Sequence, residues 1–151
     1  MPVVSRSRKV PTAPERLWTL VSDPERLTDW WPRVQRVEDA SRKAWTTVMV
    51  TPKGRTLRAD FTLLESEHPR LLRWRQEVEE SPFERILESA VTELELEKAG
   101  EGETDVRLTQ RLTLRGFSRL GGFQIRLATR RQLEGALEGL GDVAEEWRST
   151  P

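Results

Sequence analysis

Two stretches of strict alternation constrain this chain more than any other feature. Leu57, Ala59, Phe61 and Leu63 oppose Arg58, Asp60 and Thr62, and Val106, Leu108, Gln110, Leu112 and Leu114 oppose Arg107, Thr109, Arg111, Thr113 and Arg115. Successive side chains of a strand point to opposite faces, so each stretch carries one apolar and one polar face. Strands of this kind build an antiparallel sheet that is covered on one side only.

A looser version of the same pattern predicts strands over residues 34–37, 44–51, 56–64, 71–78, 84–97 and 105–115. Turn signals separate them at residues 39–42, Pro52-Lys53-Gly54, His68-Pro69, Ser81-Pro82 and residues 99–102. Spacers this short favour hairpins over helical crossovers. Ahead of them, residues 4–10 form a short first strand that Pro11 stops. Thr12 or Ala13 then caps a helix with Pro14 in its first turn, and a second short helix covers residues 25–30.

After Gly116 the period changes. Leu133, Ala136, Leu137, Leu140, Val143, Ala144 and Trp147 recur at three- and four-residue steps, and Leu120, Phe123 and Leu127 are expected to extend the stripe backwards. A helix over residues 122–148 would run roughly 40 Å at about 1.5 Å per residue. It is the one element long enough to cover the apolar face of the sheet. With 151 residues and no repeat or linker, residues 1–151 read as a single domain.

Composition narrows the function. Lys plus Arg and Asp plus Glu each number 25, so formal charge is zero and a generic nucleic-acid binder is not expected. Cysteine is absent, which removes disulfides and thiolate chemistry and suits a reducing cytoplasm. No stretch approaches the ~20 apolar residues of a membrane span, and residues 1–10 lack an apolar run of signal-peptide length, so a cytoplasmic protein without integral membrane association is expected.

Catalytic patterns are sparse. The sole histidine, His68, sits in a turn before Pro69 and reads as a solvated residue. No clustered histidines suggest a metal, no glycine-rich phosphate loop suggests a nucleotide, and no cofactor is expected. Polar residues on the apolar face carry more information. If Leu94 and Leu96 point inward, a period of two also turns Thr92, Ala90, Glu88 and Ile86 inward, whereas a bulge would send Glu88 to solvent. Gln110 and Gln76 lie among inward apolar residues in the same way. Arg126, Arg130 and Arg131, with Arg119, make a basic patch near the helix start that reads as a solvated face. Gly135, Gly139 and Gly141 inside the helix imply close packing or room beside a ligand.

The order of elements, with Ala13-Pro14-Glu15-Arg16-Leu17-Trp18 followed by Asp23-Pro24-Glu25-Arg26-Leu27-Thr28-Asp29-Trp30-Trp31-Pro32, resembles the START/polyketide cyclase-dehydrase superfamily. Gly102-Glu103-Thr104-Asp105-Val106 is similar to the family's acidic-Gly-Thr hairpin, with Glu103 intruding, and the helix from Arg130-Arg131 to Glu146 is similar to its C-terminal helix. The resemblance covers essentially the whole chain. It implies an α+β helix-grip fold: a curved antiparallel sheet of about seven strands around a long C-terminal helix, with two short helices after the first strand. It also implies an internal cavity, but no single reaction, since carriers, cyclases and hormone receptors share the fold.

The expected function is to bind a small hydrophobic molecule of the lipid, polyketide or isoprenoid class, as a carrier or sensor without catalysis. The alternative is a cyclase or aromatase acting on a poly-keto substrate. Candidate ligand-binding residues are Trp31, Phe61, Trp74, Glu88, Gln110, Phe123, Leu127 and Leu137, and no residue is assigned a catalytic role. Of Trp30 and Trp31, one is expected in the core and the other at a cavity mouth, where an exposed apolar patch would instead serve a homodimer.

Overall fold

The computed structural model describes residues 2–79, 81, 87–116 and 119–149. Residues 84–86 of the expected sixth strand, Pro82 of the turn before it and the side chains of Arg119 and Leu120 lie outside the described residues.

The first strand, β1 (Val3–Val10), leads into α1 (Pro14–Val21), a 3-10 turn (Pro24–Arg26) and α2 (Leu27–Trp30). Six further strands follow: β2 (Val34–Glu38), β3 (Ala44–Val50), β4 (Thr56–Glu67), β5 (Leu71–Glu77), β6 (Leu87–Gly100) and β7 (Glu103–Leu114). The long helix α3 (Arg119–Ser149) ends the chain. All seven strands form one antiparallel sheet in the order β1-β7-β6-β5-β4-β3-β2. It wraps around α3 as a curved cup, which is the helix-grip arrangement.

Local chemistry explains most of these boundaries. Pro14 begins α1, where its missing N–H costs nothing, and Ala13 occupies the cap without a side-chain bond. Asp23 accepts a bond from the Glu25 backbone N–H at 3.1 Å and so starts the 3-10 turn. The β6–β7 hairpin turns through Gly102 at φ 71°, a left-handed conformation that glycine adopts without a steric penalty. Buried Thr104 donates from its hydroxyl to the Thr12 carbonyl at 2.7 Å, tying the start of β7 to the β1–α1 corner.

The alternation sorts side chains as expected. Ala90, Thr92, Leu94 and Leu96 of β6, and Val106, Leu108 and Leu112 of β7, are buried on the concave face. On the convex face Glu93 bridges Arg73 of β5 and Arg111 of β7. Such exposed pairs stabilise little, ~0–1 kcal/mol each, but they keep the outer surface polar.

α3 packs against β1, β7 and α2. Its C-terminal half buries Leu133, Ala136, Leu137, Leu140 and Ala144 beside Leu17, Leu20, Val10 and Val106. This half of the cup is filled.

Candidate functional site

Beneath the N-terminal half of α3 the cup is not filled. A cavity of about 460 Å³ separates the helix from the sheet. That size lies within the range of about 300–1,000 Å³ common to small-molecule sites. Its floor is made by Trp45, Thr47 and Met49 of β3, by Leu57, Ala59 and Phe61 of β4, and by Trp74 and Gln76 of β5. Leu87, Ala90 and Thr92 of β6 and Gln110 and Leu112 of β7 complete it. Ile125, Ala128, Thr129 and Gln132 of α3 form the roof, while Trp31 and Arg33 stand at the rim. Arg33 holds a left-handed backbone, φ 66°, and its carbonyl accepts from the Val50 N–H at 3.0 Å, which fixes the corner between α2 and β2.

Aromatic rings set the shape of one wall. Trp45 stacks on Phe61 at 5.9 Å and meets Trp74 edge-on at 6.2 Å, and Trp31 meets Trp74 edge-on at 6.1 Å. Trp30, next in sequence to Trp31, is buried in the core instead.

The polar atoms in this wall are few and unequally satisfied. The Gln110 side-chain amide donates to the Thr92 hydroxyl at 3.0 Å across β6 and β7. Thr47 Oγ1 and Gln76 Nε2 are buried and have no hydrogen-bond partner. An orphaned buried donor costs ~1–3 kcal/mol, so these two atoms call for a partner that enters the cavity.

Four candidate residues, Trp31, Phe61, Trp74 and Gln110, come together here. The other four do not. The β6–β7 register shifts between Leu87 and Ser89, so Leu87 takes the inward position and Glu88 is exposed to solvent. Leu137 is buried in the filled half and does not line the cavity. Phe123 is 68 % exposed, and half-buried Leu127 is also off the cavity wall. Helical geometry accounts for this last pair. At about 100° per residue, Ile125 and Gln132 fall on one flank of the buried stripe, and Phe123 and Leu127 fall on the other.

Wall residues outside the candidate set include Trp45, Thr47, Ala59, Ile125, Thr129 and Gln132. Thr47 carried a usable signal, because it shares the inward parity of Trp45 and Met49 just as Gln76 and Gln110 share theirs. Nothing in the sequence marks Ala59 as a wall rather than a core residue.

Ionisable groups with displaced titration lie on the outside. Arg58 beside Glu38 holds that carboxyl below its usual range, with Arg36 adding to the effect. The Thr62 hydroxyl, then Arg75, does the same for Glu77. His68 is exposed and packs edge-on against Trp18 at 5.4 Å, away from the cavity wall. Among the described residues no group of three or more His, Asp or Glu side chains is placed to hold a metal, and no helix is long and apolar enough to cross a membrane.

The pattern of the family described as "Polyketide cyclase / dehydrase and lipid transport" matches residues 1–145. The chain belongs to this family. Solved structures of START-like proteins share its fold. The di-domain ARO/CYC BexL superposes with a TM-score of 0.82 at 17 % identity, over 100 % of this chain and 48 % of that one. A START superfamily protein from Mycobacterium smegmatis gives 0.78 at 12 % identity, covering 96 % and 98 % of the two chains. A protein from Thermus thermophilus gives 0.74 at 22 % identity, covering 99 % and 100 %. At these identities the likeness speaks for the START-like fold alone. No curated protein matches the chain by comparison.

Proposed function

We propose that the protein binds a small, mainly hydrophobic molecule of the lipid, polyketide or isoprenoid class in the cavity under α3, as a carrier or sensor and not as a catalyst. The observation that carries this reading is the pair of unpartnered polar atoms, Thr47 Oγ1 and Gln76 Nε2, in a mainly apolar wall. Apolar burial supplies the driving force at ~25 cal/mol per Å². The Gln76 N–H donors select a guest with an acceptor oxygen over a pure hydrocarbon.

The alternative, a cyclase acting on a poly-keto chain, draws on the fold shared with BexL. Proton transfer needs an acid or base within reach of the substrate. Among the described wall residues Arg33 is the one ionisable side chain, and a guanidinium does not give up its proton in this pH range. Glu88, the carboxylate that strand parity would offer for such a step, faces solvent.

Native mass spectrometry of gently purified protein tests the proposal. A bound small molecule whose occupancy falls with Gln76→Leu supports it. Protein that is free of ligand and also shows no saturable binding of anilinonaphthalene sulfonate would sink it. Turnover of a poly-keto substrate would move the assignment to the enzyme reading.

A further inference from the structure

Behind the tryptophans lies a second chamber of about 380 Å³. Leu27, Trp45 and Trp74 wall both spaces, so one aromatic partition divides the interior of the cup. The chamber is otherwise lined by Val21 at the end of α1, Pro24 at the start of the 3-10 turn, and Leu63 and Leu72 of β4 and β5. Its polar groups are of a different kind from those of the larger cavity. The Ser22 hydroxyl is already used, donating to the Trp18 carbonyl at 2.6 Å. Ser66 is exposed. The remaining two are Arg42 and Lys43, exposed on the β2–β3 loop where it forms the rim. No carboxylate lines the chamber, and neither cation is part of an ion pair among the described residues. The convex face is different, because Arg58, Arg73, Arg75 and Arg111 there each sit against a glutamate.

We propose that this chamber is a second binding site, which takes the alkyl chain of an amphipathic carboxylate and holds its headgroup between Arg42 and Lys43. An oily space with a cationic rim suits a molecule that is apolar along its length and anionic at one end. The chain gains from leaving water. The charge stays at the surface, where it meets two cations and avoids the desolvation cost that a buried carboxylate would carry. The larger cavity, with its orphaned neutral donors, suits a guest with an uncharged acceptor. The larger cavity has one rim cation, Arg33, and adds neutral donors in its wall, whereas this chamber has two cations and, among the described residues, no free neutral donor inside. It does not depend on the first being occupied.

Isothermal titration with decanoate and with decanol separates the possibilities. The wild-type protein is expected to bind decanoate saturably and less tightly as salt rises, since exposed charges are screened. The double variant Arg42→Glu/Lys43→Glu should weaken decanoate by about tenfold while leaving decanol unchanged, both positions being exposed and outside the core. Ser66→Trp, at an exposed position of the chamber wall, should abolish decanoate binding, and Ala128→Trp, at an exposed position over the larger cavity, should not. No saturable decanoate binding, equal affinity in the charge-reversed protein, or loss through Ala128→Trp in place of Ser66→Trp would each overturn the assignment. Failure of the larger cavity to bind any guest would remove the decanol comparison and leave the decanoate expectations unchanged.

Discussion

Between Leu133 and Ala144, α3 buries five apolar side chains against the sheet and α2, whereas between Ile125 and Gln132 the same helix overhangs open space. The periodicity is continuous across the two halves, so helical pattern alone does not separate core from cavity. Side-chain size does. The filled half sets Leu133, Leu137 and Leu140 into a core with Leu94, Leu96, Val106 and Leu108. The hollow half sets Ala128 and Thr129 over Ala59, Ala90, Thr47 and Thr92. Interiors pack close to crystal density when the facing side chains are large enough to interdigitate. Small residues facing one another leave a void instead where the frame holds helix and sheet apart, even with Trp45, Phe61 and Trp74 beside them.

Truncation should give the largest contrast between the halves. Leu140→Ala is expected to cost ~2–5 kcal/mol by urea denaturation, because it opens a cavity in a filled core. Ile125→Ala, which enlarges a space already present, should cost less than ~1 kcal/mol. Equal losses would erase the distinction.

Insertion probes the same boundary. A Cβ at Gly139 would collide with the Trp30 backbone carbonyl, which cannot swing aside, so Gly139→Ala should destabilise by ~1–3 kcal/mol. Gly141→Ala meets only the guanidinium end of Arg8 at 3.0 Å, which can move, and the gain in helix propensity should stabilise the fold by up to ~1 kcal/mol. Thermal unfolding of the two variants should therefore shift in opposite directions.

In the hollow half, Gln76→Leu removes an orphaned donor. The empty protein should keep or slightly gain stability, while affinity for a guest with an acceptor oxygen falls by about 2–10-fold, the worth of one hydrogen bond. A fluorescence titration against the co-purified guest reads this. An unchanged affinity would mean that Gln76 does not touch it.

The smallest effect belongs to the next residue, Glu77, on the convex face. Its carboxyl accepts from the Thr62 hydroxyl at 2.8 Å and from Arg75, so its folded pKa lies below the ordinary 4.5. A lowered carboxylate contributes stability that is complete above 4.5 and is lost as pH falls through the folded value. Since the side chain is 44 % exposed, solvent screens the contribution, and Glu77→Gln should flatten the acid limb of a Tm-against-pH curve only slightly.

These contrasts also mark where sequence reasoning reached its limit. Alternation at residues 57–63 and 106–114 read the sheet's inner face correctly because a period of two follows from backbone geometry alone. In the same way, inward parity picked out Phe61, Trp74 and Gln110 as wall residues, and would have picked out Thr47. Parity alone leaves Glu88 open between cavity and solvent, because one bulge inverts every assignment beyond it, and a bulge depends on how β7 pairs with β6. Phe123 and Leu127 were misplaced because an apolar stripe has two flanks, and only the helix's seat over the sheet decides which flank faces the void.

Amphipathic patterning alone requires seven strands and one striped helix to share an interior, since apolar faces of that length cannot remain in water. That the interior is full under the C-terminal half of α3 and hollow under its N-terminal half, with a second space beyond Trp45 and Trp74, follows from how the elements are assembled. The physical reason is that burial is a local preference written in each residue, whereas empty volume belongs to no residue and exists only in the distance between elements.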